Sequence, residues 1–539
     1  MGNYQGTESH CQARNALAIC KFLLHALLLQ QVVHCSEDKH FWHEVGRSEL
    51  DASLNYKWNT NTAKNVIIFL GDGMSPDTIT ASRIYNAGEE SYLSWEKFPH
   101  VGLLKTYDSD KQVPDSASTA TAIFCGVKTN NYVAGVDANV KFADCEASLK
   151  KENHLDSIIA WGQQAGKDTG FVTTTRVTHA TPSALFAHIP DRNWECEAKM
   201  PQNAANCKDV ARQLIEDEPG RNIKVIMGGG RQMLQSNVTG TAGDPLDTWA
   251  CYSKDGRKLM EDWAADKERR NFSHTIVQNT EELFNADLQE TEFLLGIFAN
   301  GHIAMDWERD TSPQGMPSLE NMTTTAIKML RKSEKGYILV VEGGLIDFAH
   351  HRGHAAQALQ ETVRLSEAVR STLELVDLSE TLVLVTSDHT HSMTFNGVSD
   401  RGADILGIAR NSKYDGVPYT ILGYGTGGPN NMGYEVYNAT VARRSDPTRQ
   451  NTREFTYSQQ ATIITSEAQH GGGDVAIYAI GPYAHLFHST HEQNFVAHVA
   501  AYSAKIGAYS RSTADFVVSS KVLIILMMAL LLSSLKVNC

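Results

Sequence analysis

The stretch Ile338-Leu-Val-Val-Glu342-Gly-Gly-Leu-Ile-Asp347-Phe-Ala-His-His351 decides the fold. Its first four residues are apolar and rich in β-branched side chains, the composition of a strand buried on both faces. The run then ends abruptly on an ionisable residue and two glycines. Asp347 and His351 stand four residues apart, so one helical turn would let a carboxylate and an imidazole converge on a single ion. A capped helix terminus is the plainer alternative.

Four other segments repeat this form. Val66 to Leu70 precedes Gly71-Asp72-Gly73, Gly170 to Thr173 precedes Arg176, Leu382 to Val385 precedes Asp388-His389, and Val475 to Ile480 follows His470. Between them lie helical patterns over Ser157 to Ala165, Lys208 to Glu216, Met322 to Lys332 and Ala355 to Val376. The expected fold is α/β, a large central and mostly parallel sheet sandwiched between helices, with a functional site at the strand ends. From Thr394 to Thr465 the chain is rich in Gly, Asn, Tyr and Arg without clear periodicity, which predicts an inserted subdomain or long surface loops.

A chain of 539 residues with 42% hydrophobic and 20% charged residues can bury a large core. Its formal charge of -14 argues against nucleic acid as a partner. That charge would also repel a phosphorylated substrate at long range, so a phosphate site needs local positive charge from metals or arginine. Residues 1–35 read as a signal peptide, with an apolar stretch from Ala16 to Val33 and cleavage near Cys35. Val522 to Leu535 form a second apolar segment, short for a membrane span and preceded by the small residues Ser510, Ser512, Thr513 and Ala514. This is the layout of a lipid-anchor signal over residues 513–539, with a spanning helix as the alternative. Asn237, Asn271, Asn321 and Asn438 each open an Asn-x-Ser/Thr acceptor, in keeping with a secretory route. Outside the two end segments stand Cys125, Cys145, Cys196, Cys207 and Cys251, an odd number, so one is expected to be free.

Further clusters carry possible chemistry. Ser387-Asp388-His389-Thr390-His391 follows a strand, and Gln469-His470-Gly-Gly-Gly-Asp474 sets an imidazole beside glycines that permit close backbone approach. Gly71-Asp72-Gly73-Met74 offers a carboxylate at a strand terminus. In Pro114-Asp-Ser116-Ala-Ser-Thr-Ala-Thr-Ala122, Ser116 falls at or near a helix start. It reads there either as an N-cap or as a residue at a phosphate site made by free backbone N–H groups.

Together Gly-Asp-Gly-Met, Pro-Asp-Ser-Ala-x-Thr-Ala-Thr, Val-Glu-Gly-Gly-x-Ile-Asp, Asp-His-x-His and His-Gly-Gly resemble the alkaline phosphatases, in the family's order over roughly residues 60 to 500. With its two end segments the chain resembles the animal, lipid-anchored (GPI-type) branch. The resemblance implies a catalytic domain over residues 36–512, a crown-like insertion over 394–465, and a homodimer at the outer face of the plasma membrane acting on small phosphomonoesters. It implies two Zn²⁺ and one Mg²⁺: Asp347, His351 and His470 at one zinc, Asp72, Asp388 and His389 at the other, and Asp72, Thr181 and Glu342 at magnesium. His179 would sit beside the third site, Ser116 would be the nucleophile and Arg192 would hold two phosphate oxygens. Cys145 and Cys207 match a family disulfide and Cys125 a buried free cysteine, while the partners of Cys196 and Cys251 stay open.

Four positions depart from the family pattern. Phe348 stands where animal members usually carry a histidine near the phosphate, Ala349 and Ser118 replace glycines, and Gly473 replaces an acidic residue. Phe298 is kept, but Ala299 and Gln314 stand where carboxylates for an extra calcium are expected, so no calcium site is expected. The departures leave one alternative from another functional class, a catalytically weakened, membrane-anchored binding protein.

Overall fold

The computed structural model describes residues 37–437 and 441–510. The expected signal segment, the whole anchor tail over 513–539 and the acceptor Asn438 lie outside the described residues. The chain divides into two compact units, Met1–Lys57 and Trp58–Cys539. Helix α1 (Lys39–Asn55) is the described element of the first; the Asp38 carboxylate caps it by accepting from the His40 and Phe41 N–H groups, and none of its side chains is buried. Among the described residues no helix is long and apolar enough to cross a membrane.

The second unit is built on a ten-stranded sheet. Its strands are β1 (Asn65–Gly71), β2 (His100–Lys105), β3 (Asp168–Arg176), β4 (Val225–Gly229), β5 (His274–Val277), β6 (Phe293–Ile297), β7 (Tyr337–Gly343), β8 (Thr381–Ser387), β9 (Val475–Ile480) and β10 (Ser489–Glu492). They run in the order β10-β2-β9-β8-β1-β7-β3-β4-β6-β5. Every neighbouring pair is parallel except those made by β9, which is antiparallel to both β2 and β8. The helices that pack on it or carry site residues are α2 (Pro76–Ala87), α3 (Ser116–Cys125), α4 (Ile158–Gln164), α5 (Val210–Glu216), α6 (Leu319–Leu330), α7 (Leu345–His351), α8 (Ala355–Leu375) and α9 (Phe495–Ala504).

The two-residue period of a strand divides β1 between two cores. Val66, Ile68 and Leu70 pack with Ile123 and Phe124 of α3, Ile158 of α4, Leu214 of α5 and Val496 of α9. Ile67 and Phe69 pack instead with Met322 and Ile327 of α6, Leu345 of α7 and Val363 of α8. Each such side chain contributes about 1.5–3 kcal/mol by leaving water, which is why the central strands read as unbroken apolar runs.

Two helices start where their caps dictate rather than where the apolar pattern begins. Asp209 caps α5 through the Arg212 N–H, so the helix starts two residues later than the pattern from Lys208; Ser318 caps α6 through the Asn321 N–H, three residues ahead of Met322. The region from Thr394 to Thr465 holds short strands rather than bare loops. Met393–Phe395, Leu422–Gly427 and Ala461–Ile464 make a small sheet whose Met393, Leu422 and Tyr424 pack on Ala355 and Leu359 of α8. Disulfides join Cys145 to Cys207 and Cys196 to Cys251, and Cys125 is free and buried.

Register positions the site. Gly71 lies opposite both Gly343 and Ser387, and Thr173 opposite Glu342. Asp72, Gly344 and Asp388 therefore leave the sheet side by side at one edge.

Candidate active site

At that edge α7 sets Asp347 and His351 one turn apart, with Oδ2 and Nε2 3.1 Å from each other. His470, on a two-residue strand paired with Thr390–His391, brings its Nε2 to 3.1 Å from His351 Nε2 and 3.5 Å from Asp347 Oδ1. A second group forms around His389, whose Nε2 lies 3.2 Å from Asp388 Oδ2 and 3.4 Å from Asp72 Oδ1. A third joins Asp72, His179 and Glu342, with the Thr181 hydroxyl beside Glu342.

Tautomers separate ion ligands from their supports. His351, His389 and His470 donate Nδ1–H to the carbonyls of Ala468, Thr390 and Pro114, at 2.7, 3.2 and 2.9 Å. Each Nε2 lone pair is thereby turned inward, as a metal-binding imidazole requires. His391 is the reverse case. Its Nδ1 accepts from the Ser392 N–H at 3.1 Å, so the proton sits on Nε2, 3.5 Å from Asp347 Oδ1. At that distance no hydrogen bond forms, but the protonated nitrogen faces Asp347 and offers no lone pair to an ion.

These residues fit bound cations. Among the described residues, Asp72 Oδ2, Glu342 Oε1, Asp347 Oδ1, Asp388 Oδ2 and Thr181 Oγ1 are all buried without a hydrogen-bond partner, and unpaired buried acids are costly. Burial, followed by repulsion from Asp388 and Asp347, pushes Asp72 well above the usual carboxylate range, and burial pushes Glu342 up to about 7. Oxygen and imidazole nitrogen in groups of three or four are a zinc- and magnesium-type donor set.

Ser116 is the first residue of α3, and the N-cap is Asp115. The Asp115 carboxylate accepts from the Ala117 and Ser118 N–H groups at 3.0 and 3.2 Å. Ser116 is therefore not the N-cap, and of the first N–H groups those of Ala117 and Ser118 are taken by Asp115. The Ser116 hydroxyl is released instead, 3.2 Å from His389 Nε2 and 3.5 Å from Asp72 Oδ1. Asp115 also holds Arg192 NH1 at 3.2 Å, while Arg192 NH2 donates to His179 Nε2 at 3.1 Å.

A cleft of about 170 Å³ opens onto Arg192, Asp347, Phe348, His351 and His470. Phe348 forms part of its wall, with the Arg352 guanidinium 3.9 Å over the ring. A larger cavity of about 770 Å³ adjoins it and shares Asp247, Trp249, His302 and Phe348 with it. The other departures are absorbed locally. Ser118 Oγ donates to Asp108 and to the Asp115 carbonyl, Ala349 packs in the core, and the Gly473 N–H donates to Thr390 Oγ1.

All twelve residues expected from the sequence thus meet in one place. Sequence reasoning left Asp115 and His391 without roles although both stand inside the motifs that pointed to the site. His302, in the loop after β6, carries no motif signal at all.

The alkaline phosphatase family model matches residues 63–506. The chain is 42% identical to the human tissue-nonspecific isozyme of alkaline phosphatase over 483 residues, 88% of this chain and 90% of that protein. It is 41% identical to an alkaline phosphatase of Gadus morhua, covering 87% and 97% of the two chains. Among solved structures, the alkaline phosphatase of Thermus thermophilus superposes with a TM-score of 0.58 at 22% identity, covering 84% of this chain and 93% of that one, a likeness of fold. Matched over its catalytic unit and carrying a centre built for several metal ions, the chain belongs to the alkaline phosphatase family and is a phosphomonoesterase.

Proposed function

We propose that the chain hydrolyses small phosphomonoesters through a phosphoserine on Ser116, at a site holding two Zn²⁺ and one Mg²⁺. Asp347, His351 and His470 would hold one zinc, Asp72, Asp388 and His389 the other, and Asp72, Thr181 and Glu342 the magnesium. When bound, the ions supply Lewis acidity that lowers the pKa of an alcohol or water and offset phosphoryl charge. Ser116 Oγ attacks phosphorus, the bond to the ester oxygen breaks, and the alcohol leaves. Arg192, aimed by Asp115 and His179, holds two phosphoryl oxygens in its fork. Water then attacks the same phosphorus, the P–Oγ bond breaks, and inorganic phosphate departs with Ser116 restored.

The observation that carries this reading is the Ser116 hydroxyl, freed by the Asp115 cap and set within 3.5 Å of Asp72 and His389. Ser116→Ala is expected to abolish the acid-stable phosphoenzyme and lower turnover by at least ~10³ while keeping metal content. Wild-type turnover in that variant would remove Ser116 from the mechanism.

We further infer a secreted homodimer held at the outer face of the plasma membrane by a lipid anchor that replaces residues 513–539. The exposed Trp42, Leu50 and Leu54 of α1 support association between copies.

A further inference from the structure

Between β6 and α6 the chain passes over the active-site edge, and His302 is pinned there by its neighbours. The Ile303 N–H donates to the Thr174 carbonyl at 3.0 Å, and the Gly301 carbonyl lies so close to Gly229 that a Cβ there would meet it at 2.0 Å. The His302 ring packs against His179 and Phe348, with centroids 5.2 and 5.0 Å away. Its side chain is only 10% exposed, and it lines both the catalytic cleft and the larger cavity beside it.

The hydrogen bonding of this ring is set from one side. Arg176 is held independently, with Nε 3.0 Å from Glu195 Oε2, NH2 2.8 Å from Glu195 Oε1 and NH1 2.8 Å from Asp247 Oδ2. NH1 also lies 2.5 Å from His302 Nε2. A guanidinium only donates, so Nε2 must accept and the ring proton must sit on Nδ1. Burial, then Arg176, holds His302 well below the ordinary histidine range, and the ring is neutral. Nδ1–H is thus a fixed donor, yet it is buried with no partner among the described residues. A buried donor left unmade costs about 1–3 kcal/mol, and Phe348 beside it has neither donor nor acceptor.

We propose that His302 is a phosphate-binding residue of this enzyme: its Nδ1–H donates to the phosphoryl group, directly or through one water, from the wall that Phe348 leaves without a donor. This rests on the phosphomonoesterase site proposed above. His302 then stands where the cleft meets the larger cavity, and helps to hold product phosphate after the alcohol has gone.

Two amides separate this role from that of a brace for Arg176. His302→Asn sets an N–H near the position of Nδ1 and removes the acceptor for Arg176; His302→Gln keeps an acceptor near Nε2 and removes the donor. On the full-length protein loaded with zinc and magnesium, inorganic phosphate binding is measured by calorimetry, with kcat, KM, metal content and Tm alongside. The expected result is a loss of phosphate affinity of roughly 10- to 100-fold in His302→Gln, about what one hydrogen bond to a charged group is worth, and a change within about 2-fold in His302→Asn. Phe348→His should restore binding more in the His302→Gln background than it improves the wild type. The opposite order of the two amides, equal losses in both with metal and Tm intact, or no change in either would overturn the proposal. A wild-type protein that neither binds phosphate nor turns over would instead defeat the parent reading.

Discussion

Asp115 shows how much one side chain can organise. It caps α3, accepts the Tyr132 N–H at 2.8 Å and pairs with Arg192, all from one buried carboxylate. Burial opposes its charge, but Arg192 and the N–H donors outweigh it and hold the group below the usual carboxylate range. Replacing it by alanine removes a helix cap worth about 1 kcal/mol and frees a rotamer-rich arginine that must then be ordered by substrate at about 0.5–1.5 kcal/mol. Asp115→Ala is expected to lower Tm and raise KM roughly 2- to 10-fold, whereas Asp115→Asn, a competent cap, should spare most of the stability. Thermal melts and steady-state kinetics on the two variants decide it; an unchanged KM in Asp115→Ala would mean that Arg192 needs no anchor.

The elements bearing the ligands abut with almost no clearance. Gly73, in the turn after β1, has φ +66°, and a Cβ there would sit 2.8 Å from Asp347 Oδ1 on α7. Alanine at this position would carry both the left-handed backbone penalty, about 1 kcal/mol, and a push on a carboxylate of the Asp347–His351–His470 group. Gly73→Ala is therefore expected to retain less zinc after dialysis against a weak chelator, with a larger loss of activity than of Tm. Metal analysis is the readout, and full zinc retention would show that the turn yields and Asp347 stays put. The same closeness explains His351, His389 and His470: short strands and turns offer the carbonyls of Ala468, Thr390 and Pro114 that turn each Nε2 inward.

At the scale of the whole molecule, the sheet gathers the candidate site groups from residues 72 to 470 onto one edge, and the proposed lipid anchor concerns the end of the chain. The apolar segment from Val522 to Leu535 comes after a spacer that includes Lys521, and at about 14 residues it is short for a membrane span. Phosphatidylinositol-specific phospholipase is expected to release the active enzyme from cells as a dimer, read by sedimentation of the released fraction. Activity that stays with the membrane after complete digestion would make the tail a spanning segment.

Strand cores, the helices over them and the ionisable groups at strand ends were legible in the sequence because burial on both faces imposes continuous apolar runs, and register then brings the residues after each strand to a common edge. Asp72, Ser116, Glu342, Asp347, His351, Asp388, His389 and His470 stood in clusters that the residues themselves marked, Asp347 with His351 above all, whereas Thr181, His179, Arg192 and Phe348 came only through the resemblance to the family. Other features depend on groups far apart in the chain. Whether Ser116 caps its helix or presents a free hydroxyl depends on which neighbour wins the first N–H groups, and local propensity rates Ser and Asp alike. The pairing of Cys196 with Cys251, the small sheets between Thr394 and Thr465, and the tautomer of His391 depend on the folded structure. His302 is the extreme case: nothing beside it in sequence marks it. Its proton is placed by Arg176, 126 residues away, and only the packed structure brings that arginine to its ring.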